Sequence, residues 1–215
     1  LAKGKELGLD GFRFYMLGRG GVLGDVESDV VASAFGFFNR AVVAKIWTSA
    51  KGKLDPREAG RIYMECCANF GRSALTEVEG LGEFCEAAEA IIAATNPAGL
   101  SLYAGIAAEP RAEDLSGRAI QLVVVLRELR GGVHLVAVVA SGLAPEMAHA
   151  IQNPNNTATF GWDPAPEPTE ADKAKLDAAE NLTDQLLLGA YSSLNDKASV
   201  AFLAGTKAIG AALSI

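Results

Sequence analysis

Apolar residues recur at helical spacing along most of the 215-residue chain. Between residues 26 and 51 they stand three or four positions apart, which places them on one face of a helix. Asn39 interrupts this pattern, so the stretch is expected to form two helices with a break between them. The same spacing predicts further helices over 9–17, 56–71, 81–95, 170–188 and 194–213.

Capping residues mark where the predicted helices begin. Thr169 stands three residues before Asp172, a capping-box arrangement in which Asp takes the place of Glu or Gln. Asp55 precedes Pro56, and proline is favoured in the first turn of a helix. Further caps are expected at Asp25 and at Asn195 or Asp196.

The stretch from residue 113 to residue 140 is compatible with two structures. A nearly continuous apolar run is separated by Gly131-Gly132 from a second run over 133–140. Two β-branched runs around a glycine pair could form a β-hairpin. The charged residues beside the glycines do not alternate, however, and Leu143-Ala144-Pro145-Glu146 is typical of a helix start. An arrangement of three helices joined by two turns is therefore favoured.

Two stretches rich in proline or glycine divide the chain. Asn96-Pro97-Ala98-Gly99 is the best candidate for a boundary between an N-terminal helical subdomain, 1–98, and a C-terminal one, 99–215. Residues 153–168 include four prolines and predict a stiff surface loop, which Phe160 and Trp162 are expected to pin to the body. The predicted fold class is all-α, a multi-helix bundle with two helical subdomains.

The distribution of charge argues against a nucleic-acid partner. The net charge is −7, and the acidic excess lies in residues 73–215, whereas residues 1–72 carry a small basic excess of +3. Affinity for nucleic acid depends on neutralising phosphates with Lys and Arg, so such a partner is not expected.

Cysteine usage and the apolar runs indicate a reducing compartment. The three cysteines, two of them adjacent, do not make a disulfide framework and are interpreted as reduced core thiols. No apolar run is long enough for a membrane helix or a signal peptide. A cytoplasmic protein without a membrane partner is expected.

A glycine cluster from Gly18 to Gly24 contains one charged residue, Arg19. A phosphate-binding loop would follow a strand and usually carry a lysine, whereas here a helix precedes the cluster and no lysine follows. The cluster is therefore expected to be a turn between helices. A lone guanidinium between apolar helices needs a carboxylate, either from the protein or from a ligand.

A second group of ionisable residues, Arg127, Arg130 and His134, surrounds the glycine pair. They form either a helix C-terminus, where basic residues favour the dipole, or the polar floor of a pocket in which His134 exchanges a proton. Glu180 and Asp184, one turn apart, could do acid–base work or pair with a basic residue such as Arg19. No spacing predicts a metal site, and no cofactor can be assigned.

Three stretches, taken together, carry a resemblance to a known protein family. They are 15–24 with 30–35 (YMLGRGGVLG, VVASAF), 130–135 with 141–148 (RGGVHL, SGLAPEMA), and 160–162 followed by 180–184 (FGW, ENLTD). Their order resembles a family of actinobacterial proteins of unknown function that is described as helix-turn-helix-like. The resemblance spans most of the chain and implies a helical bundle whose C-terminal part is similar to a winged helix-turn-helix.

The chain departs from this family after Trp162. Family members carry a longer element there, with an Arg-Gly-Leu run and a small wing, whereas residues 164–168 of this chain read PAPEP. No basic recognition helix is expected, and the family pattern by itself does not establish DNA binding.

Three functions are compatible with these observations. The preferred hypothesis is a non-catalytic binding or regulatory protein with an apolar pocket for a small acidic or amphiphilic ligand, associated as a homo-oligomer. One alternative is a DNA-associated transcription regulator with helix-turn-helix character over 135–151. The other is an enzyme in which His134 is the acid or base and an arginine is the electrostatic clamp. The ligand-binding residues are predicted to be Tyr15, Arg19, Arg127, Arg130, His134 and Trp162.

Overall fold

A computed structural model describes residues 2–214, and their regular structure is helical. No strand occurs within this range, which confirms the all-α prediction and excludes the hairpin. Short 3-10 turns lie at Gly21–Leu23 and Ala158–Phe160. The helices are α1 (Ala2–Glu6), α2 (Phe12–Gly20), α3 (Ser28–Phe35), α4 (Arg40–Lys51), α5 (Pro56–Ala74), α6 (Leu81–Ala94), α7 (Ser101–Ala107), α8 (Leu115–Ala140), α9 (Pro145–Gln152), α10 (Glu170–Tyr191) and α11 (Asp196–Leu213).

Most predicted helix starts are confirmed by cap hydrogen bonds, which satisfy backbone donors that have no partner inside the helix. The Asp55 side chain accepts from the Glu58 backbone amide at 2.9 Å. Thr169 and Asp172 form both bonds of the capping box. Similar caps are made by Asn39 at α4 and by Asn195 at α11.

The cap predicted at Asp25 is wrong. The helix begins three residues later, at Ser28, and Glu27 in the N-cap position makes no side-chain cap hydrogen bond. Asp25 instead pairs with Lys51 at the end of α4, at 2.5 Å. This long-range partner competes with the local capping role, and the sequence around Asp25 gives no sign of it.

The glycine cluster forms the expected turn between helices only in its second half. Helix α2 continues through Gly20, and the 3-10 turn at Gly21–Leu23 then leads to Gly24, which has a φ of 85°. Close packing against α5 explains the small residues. A Cβ atom on Gly21 would lie 1.9 Å from the Pro56 carbonyl oxygen, and one on Gly18 would lie 2.7 Å from the Tyr63 Cβ atom. The glycines therefore allow two helices to approach each other.

The turn predicted at Gly131-Gly132 is also wrong, since α8 runs unbroken for 26 residues. Neither glycine adopts a positive φ. Glycine weakens a helix interior by only about 1 kcal/mol, which burial of the flanking apolar residues readily offsets. The helix is lined along its length by buried side chains that pack against α5, α6 and α10.

One hydrophobic cluster draws on both predicted subdomains, from Leu9 to Ile209. A second, smaller cluster lies under the end of α8 and includes Val138 and Leu143 together with Leu176 and Ala179 of α10. The division into 1–98 and 99–215 stays a prediction. Among the described helices, none combines the length and apolar character that crossing a membrane requires.

Candidate functional site

The end of α8 and the start of α9 form a helix–turn–helix unit. Four residues, Ser141 to Ala144, join the two helices, and Gly142 adopts a φ of 68° that favours glycine. Pro145 occupies the first turn of α9. A short turn that contains glycine is typical of this motif.

Leu143 and Ala148 hold the unit against the protein body. Leu143 is 3% exposed and Ala148 is fully buried, and both belong to the small cluster that also includes α10 residues. Burying a leucine side chain contributes about 1.5–3 kcal/mol. The position of α9 is therefore fixed by apolar contacts with α8 and α10.

His134 links α8 to α10 beneath this unit. Its Nδ1 atom lies 3.0 Å from the Thr183 hydroxyl, which itself donates to the Ala179 carbonyl at 2.7 Å. Because the hydroxyl proton is already used, Nδ1 carries the proton and donates to Thr183. The Nε2 lone pair then faces the Gln152 side-chain amide nitrogen at 3.5 Å.

Gln152 and Glu180 extend this network to the surface. The Gln152 amide donates to the Glu180 carboxylate at 2.7 Å, and Arg130 donates to the same carboxylate at 2.9 Å. Burial lowers the pKa of His134 below its ordinary value of 6.5, Glu180 raises it in part, and Arg130 lowers it further. His134 is therefore neutral at pH 7 and is a structural link between α8, α9 and α10.

Arg19 forms a buried bidentate ion pair with Glu128. The two nitrogen–oxygen distances are 2.8 and 2.7 Å, and the Arg19 and Glu128 side chains are 11% and 2% exposed. The guanidinium carbon also lies 4.2 Å from the centre of the Phe35 ring, a cation–π contact. Burial alone would lower the pKa of Arg19, but the hydrogen bonds and charge of Glu128 raise it above its ordinary value.

Arg127 gives this cluster an excess of positive charge. It donates to the same Glu128 carboxylate at 3.0 Å, and its side chain is half exposed. A cavity of about 230 Å³ opens beside the cluster. Its lining includes Tyr15, Phe160 and the exposed residues Gln152 and Asn153.

His149 of α9 is buried against the loop that follows the helix. Its ring stacks on Phe160 with 3.9 Å between centroids, and its Nε2 atom has no hydrogen-bond partner among the described residues. Burial lowers the pKa of His149, and a hydrogen bond to the backbone of Asn156 opposes this shift in part. His149 is thus a packing residue that holds α9 and the loop together.

The loop is pinned to the connection between α3 and α4 by its two aromatic residues, as the sequence predicts. Phe160 stacks on Phe38 at 4.0 Å, and its carbonyl accepts from the Asn39 amide at 2.8 Å. The Trp162 indole donates to the Phe37 carbonyl at 2.9 Å. The loop therefore has a defined position next to the end of α9.

The structure distributes the six predicted ligand-binding residues over three places. Tyr15, Arg19 and Arg127 line the cavity. Arg130 and His134 belong to the Glu180 network, and Trp162 supports the loop. The suggested partner of Arg19 was wrong, because Glu180 pairs with Arg130 instead.

Sequence reasoning missed Glu128, Gln152 and His149 as parts of this region. Glu128 is the single acidic residue inside the apolar run, and that isolation was the available signal. Gln152 carried no such signal, because an amide at a helix end is common. Its role depends on the approach of α10.

The comparisons with known proteins identify one family. A family model described as "Helix-turn-helix family" matches residues 1–167, about three quarters of the chain. The chain belongs to the helix-turn-helix family. A search of curated proteins and a search of solved structures each found no match. The resemblance seen in the sequence is confirmed at the level of this family.

Membership in the helix-turn-helix family corrects two expectations. The preferred hypothesis of a non-catalytic protein for a small acidic or amphiphilic ligand is wrong, since the family favours the DNA-associated alternative. The exclusion of nucleic acid is wrong for the same reason. The charge argument was misleading because it summed charge over long segments, whereas binding depends on the charge at a local surface. Near the α8–α9 unit, three arginines pair with only two carboxylates, which leaves a local excess of positive charge. The arginines are Arg19, Arg127 and Arg130, and the carboxylates are Glu128 and Glu180.

Proposed function

We propose that this protein is a DNA-associated transcription regulator that acts in the cytoplasm. The observation that carries the proposal is the family match over residues 1–167, which includes the whole α8–turn–α9 unit. The four-residue turn, its Gly142 and the buried Leu143 support the proposal, because a short turn that contains glycine is typical of helix-turn-helix motifs.

The charge near the α8–α9 unit supports contact with phosphates. Arg127 and Arg130 are each about half exposed, and both lie on the α8 segment that leads into the turn. Their partners Glu128 and Glu180 neutralise only part of the positive charge, because Glu128 also pairs with Arg19. Exposed arginines of this kind position a protein on the DNA backbone.

A binding selection from random duplex DNA tests the proposal. Purified protein is incubated with the library at about 50 mM salt, where phosphate contacts are strongest, and bound duplexes are sequenced over several rounds. Enrichment of a defined sequence, with affinity that falls as salt rises, is the expected result. Absence of any retained duplex at low salt contradicts the proposal.

We also propose a homo-oligomer as the DNA-binding form. Regulators with this motif bind two half-sites through a two-fold dimer, so the selected sequence is expected to be palindromic. Val200 and Leu203 of α11, both well over half exposed, are apolar positions available to a second copy. Sedimentation velocity with and without the selected duplex measures the oligomeric state.

A further inference from the structure

The second helix of the unit is poorly placed to read bases along its length. Of its eight residues, only Gln152 is exposed, whereas Ala148, His149 and Ala150 are buried and the others are half-buried. Helix α9 carries no Lys or Arg, and its single acidic residue is Glu146. A helix that is packed against α8 and α10 on most of its surface cannot lie deep in a DNA groove.

The chain becomes exposed where α9 ends. Residues 152–156 are all exposed, and four of these five residues have amide side chains: Gln152, Asn153, Asn155 and Asn156. The surrounding segment 147–162 contains no Asp, Glu, Lys or Arg, although 21% of the chain is charged. Nothing in this segment repels a phosphate backbone, and its polar groups both donate and accept hydrogen bonds.

Backbone hydrogen bonds give this amide loop, residues 152–156, a fixed shape. The Asn153 amide donates to the His149 carbonyl at 2.8 Å, and the Asn156 amide donates to the Asn153 carbonyl at 3.0 Å. Thr157, the next residue, is only 6% exposed, and its carbonyl accepts from the Trp162 amide at 3.0 Å. A loop that is already ordered loses less conformational entropy when it binds.

Two arginines lie beside the amide loop. Arg127 lines the same cavity as Gln152 and Asn153. Arg130 and Gln152 both donate to the Glu180 carboxylate. The loop and the two half-exposed guanidinium groups therefore lie on one surface, on which the Glu180 carboxylate is held between Arg130 and Gln152.

We infer that the amide loop, rather than α9 itself, reads the bases, and that it selects A·T pairs while Arg127 and Arg130 contact the flanking phosphates. Asn and Gln amides match the N6 and N7 edge of adenine in the major groove with two hydrogen bonds. The loop contains no arginine to make the corresponding contact with guanine. The inference rests on the proposed DNA-binding function.

The test uses the full chain and the duplex that the random selection yields. The double variant Asn153→Ala/Asn155→Ala is expected to bind that duplex at least about 30-fold more weakly, because two bidentate base contacts are lost. Its affinity for an unrelated duplex is expected to be unchanged. Gln185→Ala is the matched control, since Gln185 is an exposed amide on α10 outside the loop.

Arg127→Gln separates phosphate contacts from base contacts. It is expected to weaken binding to both duplexes equally and to reduce the slope of log K against log salt by about 1. Arg61→Gln, which removes an exposed arginine on α5, is the control for the change in net charge. Circular dichroism and thermal unfolding of each variant establish that it is folded.

The outcomes distinguish the inference from the proposed function. If the selection yields an A·T-containing sequence and the asparagine variant loses preference for it, the role of the amide loop and the DNA-binding function are both supported. If the wild-type protein binds a selected duplex and the asparagine variant binds it equally well, the loop assignment is overturned while DNA binding stands. If the wild-type protein retains no duplex, both are overturned.

Discussion

Arg19 of α2 and Glu128 of α8 are joined by two hydrogen bonds of 2.8 and 2.7 Å in the interior of the bundle. They are 109 residues apart in the sequence, so the pair ties the N-terminal segment to the helix that leads into the α8–α9 turn. A buried pair of this kind contributes little compared with apolar residues of the same shape, but it is costly to break.

Removing one partner of this pair is expected to destabilise the protein strongly. Glu128→Gln leaves the buried Arg19 guanidinium without a carboxylate, which costs about 3–5 kcal/mol. The double variant Arg19→Met/Glu128→Leu is expected to recover most of this loss, because neither charge remains. Urea unfolding measures the free energy of unfolding for each variant.

The exposed pair between Arg40 and Asp29 is the control. It has the same bidentate geometry, at 2.6 Å for both bonds, but its side chains are 75% and 58% exposed. Asp29→Asn is expected to leave the unfolding midpoint nearly unchanged, since water screens an exposed pair. A loss of stability as large as that of Glu128→Gln would show that burial is not the deciding factor.

Stability is expected to fall as the pH drops from 7 to 5. Burial holds the pKa values of His134 and His149 below 6.5, so the unfolded chain binds protons before the folded protein does. This contribution is fully present above pH 6.5 and is lost as the pH falls through the folded pKa values. Urea unfolding at a series of pH values measures the free energy of unfolding and therefore this contribution.

His149→Phe is the variant that isolates this effect. Phenylalanine keeps the stacking on Phe160 and removes a titrating group. The dependence of the unfolding free energy on pH between 7 and 5 is expected to become shallower. An unchanged dependence on pH would show that His149 does not cause the loss of stability. The pKa values of some aspartates, such as Asp114, are lowered from 3.8. These carboxyl groups exchange protons only at lower pH, so they do not change the free energy of unfolding between pH 7 and 5.

Gly131→Ala is expected to stabilise the protein by about 0.5–1 kcal/mol, because alanine favours a helix interior and its Cβ atom would meet no neighbour within 4 Å. Gly71→Ala is the contrasting variant, since its Cβ atom would lie 2.2 Å from the Ser116 carbonyl oxygen. Thermal unfolding compares the two. Destabilisation by Gly131→Ala would indicate a turn at this position rather than a continuous helix.

Gly161→Ala is expected to destabilise the loop more than Gly142→Ala destabilises the turn. Both glycines have positive φ values, 86° and 68°, so both variants carry a similar conformational cost of about 1–2 kcal/mol. Only at Gly161 would the new Cβ atom also clash, at 2.5 Å from a Val42 methyl group. Differential scanning calorimetry gives both losses, and equal losses would rule out the contact with α4.

The sequence by itself determined the helical class and several helix starts. Apolar spacing and caps such as Asp55 and Thr169 act over a few residues, so their consequences can be predicted without the rest of the chain. The motifs that carry the family resemblance are also local. The α9 start at Pro145 and the anchoring by Phe160 and Trp162 were predicted correctly for this reason.

The tertiary structure alone decided the ion pairs, the long helix and the exposed loop. Gly131-Gly132 can end a helix or continue it, and the packing of α8 against three other helices selects continuation. Arg19 needed a carboxylate, but only the fold brings Glu128 rather than Glu180 to it. The exposure of the amide loop likewise depends on how α8 and α10 bury α9. These outcomes depend on contacts between residues far apart in the sequence, which local patterns do not specify.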